Sequence, residues 1–294
     1  MHLWRLMMKF MFFTFGKNLF WEDVYNYQDW IIQHNVRSTH YRLLDPHNIR
    51  RDSGTFDQCK ASLLKYIKAF ELNKPYDDTI IILHGFGRTK DSVKHIKNKL
   101  KELQANVISI NYASLRRGIA FHANMISQLL NNLETQGDIY IVNVGASCLI
   151  TRKLLNNSAN YRNYNIQRIL DINPLNSGSD LAELLAQNGF FNFFLGPMLA
   201  DISTPKASSI AHIPQEIEHG IIFIPSKFTT FFKKIFSRFE SFPTRTPASE
   251  ESYSNNLQKI NVASLFPLKN STLLEYCKSF IKTGSFSLSH ESDE

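Results

Sequence analysis

One stretch of the sequence carries residue types suited to attack on a carbonyl carbon: Ile141–Thr151, I-V-N-V-G-A-S-C-L-I-T. It departs by one residue from G-x-S-x-G, the turn that lifts a serine between a strand and a helix, because Leu149 stands at the last glycine. A nucleophilic serine needs that tight turn, a base for its proton, and donors for the oxyanion that forms. The turn is legible: apolar Ile139–Val144, then Gly145-Ala146-Ser147-Cys148, then a helical run. Ser147 is the candidate nucleophile, with the positive end of the helix dipole close behind it. His84-Gly85-Phe86-Gly87 follows an earlier strand, so the N–H groups of Phe86 and Cys148 are the candidate oxyanion donors. His84 itself reads as packing beneath that loop.

The base is harder to place. In the chain order serine, acid, histidine, only His212, His219 and His290 follow Ser147. His290 lies in a polar tail. Asp171, at the end of a strand, offers an acid, and Glu250 or Glu251 a shifted one. One reading is a relocated triad of Ser147, Asp171 and either His219 or His212. The other is a serine with oxyanion donors and no base, which retains only about 10³–10⁴-fold rate enhancement over water. Asn111-Tyr112-Ala113-Ser114 reads equally as pocket lining or as a loop end. No cofactor is implied: there is no P-loop lysine, no dinucleotide glycine pattern and no zinc spacing.

The elements that must position these residues alternate in type. Trp21–Lys74 is mixed, ending in a helix over Phe56–Phe70 behind a Ser53-Gly54-Thr55 cap. Short, branched apolar runs at Thr79–Leu83, Val107–Asn111, Ile139–Val144 and Ile166–Ile172 predict strands buried on both faces. Helical patterns separate them at Lys90–Gln104, Ile119–Glu134 and Leu149–Asn156. That rhythm predicts βαβ units and an α/β fold with a mainly parallel central sheet flanked by helices. After Pro174 the rhythm falters. A Phe-rich, lid-like helical insert is expected over about residues 180–242, with a helix over Asp180–Ala200 and a strand at Gly220–Pro225. Phe228–Phe242 reads as core packing, or else as the wall of an apolar site or a membrane-facing edge. Val262–Pro267 is expected as a last strand, Thr272–Lys282 as a terminal helix, and 287–294 as a polar tail. Residues 21–286 thus form one domain.

At this point the sequence resembles a family. I-I-L-H-G-F-G-R-T-K-D-S, I-N-Y-A-S, the Ser147 turn and N-P-L-N-S-G-S-D-L-A are similar to blocks of α/β-hydrolases of the bacterial lipase and esterase type. Upstream, D-W-I-I-Q-H-N and H-Y-R-L-L-D-P-H-N-I-R-R resemble the same group, so the likeness runs from about Asp29 to Phe286. It implies a carboxylic-ester hydrolase with a serine nucleophile. The departures bear on activity: the family's histidine and glycine around the serine are Ala146 and Leu149 here. The loop that carries the family's acid corresponds to Thr246-Pro247-Ala248-Ser249, without an aspartate. Asn270 stands where the family has its base, and an amide has no basic lone pair for a serine proton.

Two readings follow: a serine esterase or lipase-like enzyme of weak or no activity, and a degenerate hydrolase serving as a binding or membrane-surface module. The expected ligand is an apolar ester or lipid-like molecule. A net charge of +7 leaves an anionic membrane surface open as a partner, but the basic residues are scattered and no nucleic acid is expected. The densest run, Lys94–Lys101, reads as a solvated helix face. Residues 1–20 are apolar and basic. Met1–Phe15 is too short for a spanning helix and reads as a docked terminus, a membrane-surface anchor or an export signal. Three dispersed cysteines favour a reducing compartment, hence the cytoplasm or the inner membrane face, with export still open.

Overall fold

A computed structural model describes residues 17–72, 76–133, 137–157, 161–224, 253–254, 256–260 and 267–287. The chain begins with an antiparallel meander of β1 (Trp21–Tyr27), β2 (Trp30–Asn35), β3 (Tyr41–Leu44) and β4 (Arg50–Gly54), hydrogen-bonded in that order. Helix α1 (Phe56–Ala69) folds back on it, and Cys59 and Leu63 close a core with Tyr25, Tyr27, Trp30, Ile32 and Leu43. Its start is a capping box: the Thr55 hydroxyl accepts from Gln58 N–H and the Gln58 side chain accepts from Thr55 N–H. The helix was expected. The strands were not, because Glu22, Asp23, Asn26 and Gln33 occupy buried strand positions and hide the apolar alternation.

Among the described residues the central sheet has six strands, β5 (Thr79–Leu83), β6 (Asn106–Ile110), β7 (Ile139–Val144), β8 (Ile166–Ile172), β9 (Glu218–Phe223) and β10 (Asn256–Lys259), in the order β10-β9-β8-β7-β5-β6. Every neighbouring pair is parallel. All five residues of β5 are buried, as a strand covered on both faces requires. Helix α2 (Lys94–Leu100) and the last helix pack their apolar stripes on one face, and α3 (Ile119–Asn131) with α4 (Ser147–Asn157) cover the other. The meander joins the sheet beside β6. Asp23 N–H donates to Asn111 O at 2.9 Å, Asn111 N–H returns to Asp23 Oδ2 at 2.9 Å, and Lys90 Nζ stands 3.7 Å from the same carboxylate.

Several expected boundaries move. The Lys90–Gln104 helix is α2 between two 3₁₀ turns, Lys90–Val93 and Lys101–Leu103. Three of its lysines are paired within the molecule, Lys97 and Lys101 with Asp29 and Lys99 with Glu102 and Glu275, and the side chains of Lys97 and Lys99 are largely covered rather than solvated. The Asp180–Ala200 helix divides into α5 (Asp180–Ala186), α6 (Gly189–Leu195) and α7 (Pro197–Asp201), followed by α8 (Thr204–Ser208). The break before α7 falls at Gly196, whose φ of 76° no helix interior adopts, followed by Pro197. The expected insert therefore has a described helical part between β8 and β9, while β9 itself belongs to the central sheet. The strand expected at Val262–Pro267 and the Phe228–Phe242 segment lie outside the described residues, apart from a 3₁₀ turn that begins at Pro267; the sheet's edge is β10, a polar N-L-Q-K run. Helix α9 (Ser271–Thr283) closes the fold, with Asn270 accepting from Leu273 N–H at 3.0 Å as its N-cap.

Candidate active site

Strand β5 pairs with β6 on one side and β7 on the other, so the chain reverses direction across the sheet there. The carboxyl ends of strands at such a switch point form the crevice where open α/β sheets bind ligands. Here the crevice is flanked by the loop after β5, starting at His84, and by the turn after β7. The two approach closely: a Cβ added to Gly85 would lie 3.3 Å from Val144 O.

The backbone identifies the strained residue of the turn. Gly145 has φ 63°, in the left-handed region, and a Cβ built on it meets nothing within 4 Å. Its N–H donates to Ile172 O at 2.9 Å, which ties the turn to β8. Ser147, two residues later, is the first residue of α4 and is fully buried. Its Oγ accepts from Val144 N–H at 2.8 Å, and its hydroxyl faces Val144 O at 3.1 Å and Leu83 O at 3.2 Å. By conformation, then, N-V-G-A-S overlays G-x-S-x-G with Gly145 at the strained position and Ser147 at the second small-residue position. The letters of the sequence put the serine two residues later. A signal for the shift was present: Gly145 directly follows an uninterrupted strand pattern, and glycine is the residue that adopts positive φ freely.

Asp171 and His219 do meet, Nε2 to Oδ2 at 2.9 Å, with Asp171 fully buried. The pair sits within a chain of bonds. Thr151 donates to Asn143 Oδ1, Asn143 Nδ2 donates to Asp171 Oδ1, and His219 Nδ1 contacts Tyr253 O at 3.0 Å. Both imidazole nitrogens therefore face oxygen partners, neither of them Ser147. His212 stacks on Tyr253 with centroids 4.5 Å apart. Partial burial, then the Arg152 guanidinium and the neighbouring His219, hold its pKa below the ordinary histidine value. Among the described residues no histidine hydrogen-bonds to Ser147 Oγ.

The expected oxyanion donors differ from each other. Cys148 N–H donates to Gly145 O at 3.5 Å, and Cys148 Sγ accepts from Leu175 N–H at 3.2 Å, so Cys148 is engaged within the turn and with the loop after β8. The Phe86 N–H makes no hydrogen bond among the described residues. His84 is structural as expected. Its ring stacks on Tyr112 at 4.0 Å, Tyr112 N–H donates to its Nε2, the Tyr112 hydroxyl donates to its carbonyl, and burial pushes its pKa down to about 4. Asn111 and Ser114 brace loops: Ser114 Oγ accepts from Gly87 N–H at 3.0 Å. Glu250, Glu251, His290 and Thr246–Ser249 lie outside the described residues.

Two polar features escaped the sequence reading. Arg152 of α4 is buried, and its guanidinium donates to the carbonyls of Asn176, Ile210 and Ala211, clamping the segments after β8 and α8 onto the helix behind the turn. Glu22 and His122 are buried with Oε1 and Nδ1 3.7 Å apart, and neither of those atoms has a hydrogen-bond partner. Burial raises the Glu22 pKa to about 7 and lowers that of His122 to about 3. Nothing in an isolated E or H announces such a position. Among the described residues no group of three His, Cys, Asp or Glu side chains is placed to hold a metal ion.

Comparison with solved structures bears on the fold. The structure is similar to the mature lipase BlEst2 of Bacillus licheniformis, with a TM-score of 0.50 and 15% identity over 72% of this chain and 94% of that one. A metagenomic carboxyl esterase, MGS0156, aligns at a TM-score of 0.45 and 10% identity over 57% of each chain. The phospholipase PlaB of Legionella pneumophila aligns at 0.44 and 14% identity over 54% of this chain and 41% of that one. No family model and no curated protein matches the sequence. The fold is the α/β-hydrolase fold. No helix among the described residues is long and apolar enough to cross a membrane.

Proposed function

We propose that the chain is a serine-hydrolase-like protein whose elbow no longer carries an activated nucleophile, and that it works as a binding module for an apolar ester or lipid-like molecule. The observation that supports this most directly is the turn itself: its left-handed residue is Gly145, and the nearby Ser147 hydroxyl is buried and hydrogen-bonded to backbone. Attack on an ester needs a base within about 2.6–3.2 Å of the hydroxyl, and the nitrogens of His219 face Asp171 and Tyr253 instead. Asn270, at the position where the sequence resemblance expects a base, caps α9. The ligand class rests on that resemblance, and the switch-point crevice is where such a ligand fits. All three cysteines are free and buried, which accords with a reducing compartment, the cytoplasm or the inner membrane face.

The test is labelling of the purified protein by a fluorophosphonate probe, with Ser147→Ala and Gly145→Ser in parallel. The expected result is no labelling of the native protein above a denatured control, and none of Gly145→Ser, since a hydroxyl at the strained position still lacks a base. Labelling of the native protein that vanishes in Ser147→Ala overturns the reading and restores a working serine.

A further inference from the structure

The surface around α6 carries large exposed apolar side chains. Phe193 is 77% exposed, Phe190 42%, and Leu184 on the preceding helix 46%. The aromatic rings form one patch, Phe190 and Phe194 with centroids 4.7 Å apart and Phe193 edge-on to Phe194 at 5.2 Å. Gly196, at the end of α6, lies so close to Leu115 O that a Cβ there would fall 2.0 Å from it, which sets the patch against the segment Leu115–Gly118. That segment is basic. Arg116 and Arg37 both lie over the Phe20 ring, at 4.8 and 4.4 Å, and Arg117 lies over Phe121 at 4.9 Å, itself 41% exposed. Partial burial and the neighbouring Arg37 lower the Arg116 pKa. Among the described residues none of these three arginines forms an ion pair.

Large exposed apolar patches mark interaction surfaces, and rings beside unpaired cations fit one chemistry well. Apolar side chains enter the headgroup–acyl boundary of a bilayer while basic ones meet anionic headgroups. A second copy of the chain fits poorly. In a two-fold dimer the same patch faces itself, which brings both sets of three arginines into one interface on a chain of net charge +7. We propose that this face docks on an anionic lipid bilayer, with Leu184, Phe190 and Phe193 inserted and Arg37, Arg116 and Arg117 against the headgroups. The proposal holds whatever chemistry Gly145 and Ser147 perform.

The experiment uses the full chain with Phe193→Cys carrying an environment-sensitive fluorophore. The three native cysteines are buried, so the added thiol reacts alone. A label on Gln167→Cys, at the opposite end of the strands, is the control. Vesicles of phosphatidylcholine with and without phosphatidylserine are added. The expected result is a blue-shifted, brighter signal at position 193 with the anionic vesicles only, and none at 167. In unlabelled protein, Phe193→Ser lowers vesicle partitioning about tenfold and Arg116→Gln or Arg117→Gln about fivefold each. Vesicle-bound protein with an unchanged signal at 193 overturns the proposal, because another surface then docks. So does absence of vesicle binding. An apolar signal before vesicles are added also overturns it: a dependence on protein concentration means self-association, and independence means that the chain covers the patch itself.

Discussion

Replacing Ser147 by alanine separates a structural serine from a catalytic one through stability alone. In the folded protein Ser147 Oγ is the acceptor for Val144 N–H, the last amide of β7, at 2.8 Å, and the residue is fully buried. Alanine removes that acceptor and creates almost no cavity. The cost is the desolvation of an amide left without a partner, about 1–3 kcal/mol, plus the lost donation to Leu83 O or Val144 O. A net loss of about 2 kcal/mol lowers Tm by roughly 3 °C in a chain of this size. An exposed nucleophile held in a strained turn behaves in the opposite way, because active sites trade stability for function. Thermal and urea unfolding of native protein and Ser147→Ala decide between them. A variant as stable as the native protein, or more so, would refute the assignment of Ser147 to the turn's own hydrogen bonding.

Three further outcomes are expected. His219→Ala leaves the buried Asp171 carboxylate with Asn143 alone and costs about 3 kcal/mol in urea unfolding; an unchanged midpoint contradicts the buried pair. Glu22 has its folded pKa raised to about 7, so the unfolded chain loses its proton first, and the ionised side chain increasingly penalises the fold as pH rises from about 4.5 to 7. Glu22→Gln is then more stable than native protein by about 2–3 kcal/mol at pH 8, with the difference vanishing near pH 4; a difference independent of pH in unfolding titrations excludes this. Asn270→Ala removes the cap of α9 and costs about 1 kcal/mol, whereas Asn270→Ser costs a few tenths; equal losses in thermal unfolding would argue against capping as the residue's role.

What the sequence disclosed follows from burial. Runs such as T-I-I-I-L and I-Y-I-V-N-V name their strands because both faces are covered and most positions are apolar, the buried Asn143 being satisfied by Asp171 and Thr151. The meander failed to announce itself because Glu22, Asp23 and Gln33 lie inside, Gln33 bonded across the strands to Asp23 and Asp23 to the distant Asn111. β10 failed as an edge strand with polar letters. The strand–turn–helix around Gly145 and the strand ends beside it could be placed from the sequence, and Asp171 and His219, offered there alongside His212, lie 2.9 Å apart in the fold. Their roles were not legible, because φ at Gly145 and the partners of two imidazole nitrogens are properties of the folded backbone.

The meander bears on the order in which the molecule assembles. Strands β1 to β4 hydrogen-bond to one another in sequence order and, with α1, close their own core, whereas β5 must wait for β7, with Thr79 aligned to Ile139, and the edge must wait for β10. Contacts near in sequence form fast and distant parallel pairings slowly. During synthesis the N-terminal unit is complete first. Its outer strand then presents the Asp23 amide and carboxylate to Asn111, a two-pronged seat on which β6 lands. The charged residue that hid the strand from the sequence thus marks where the later sheet is registered on the earlier one.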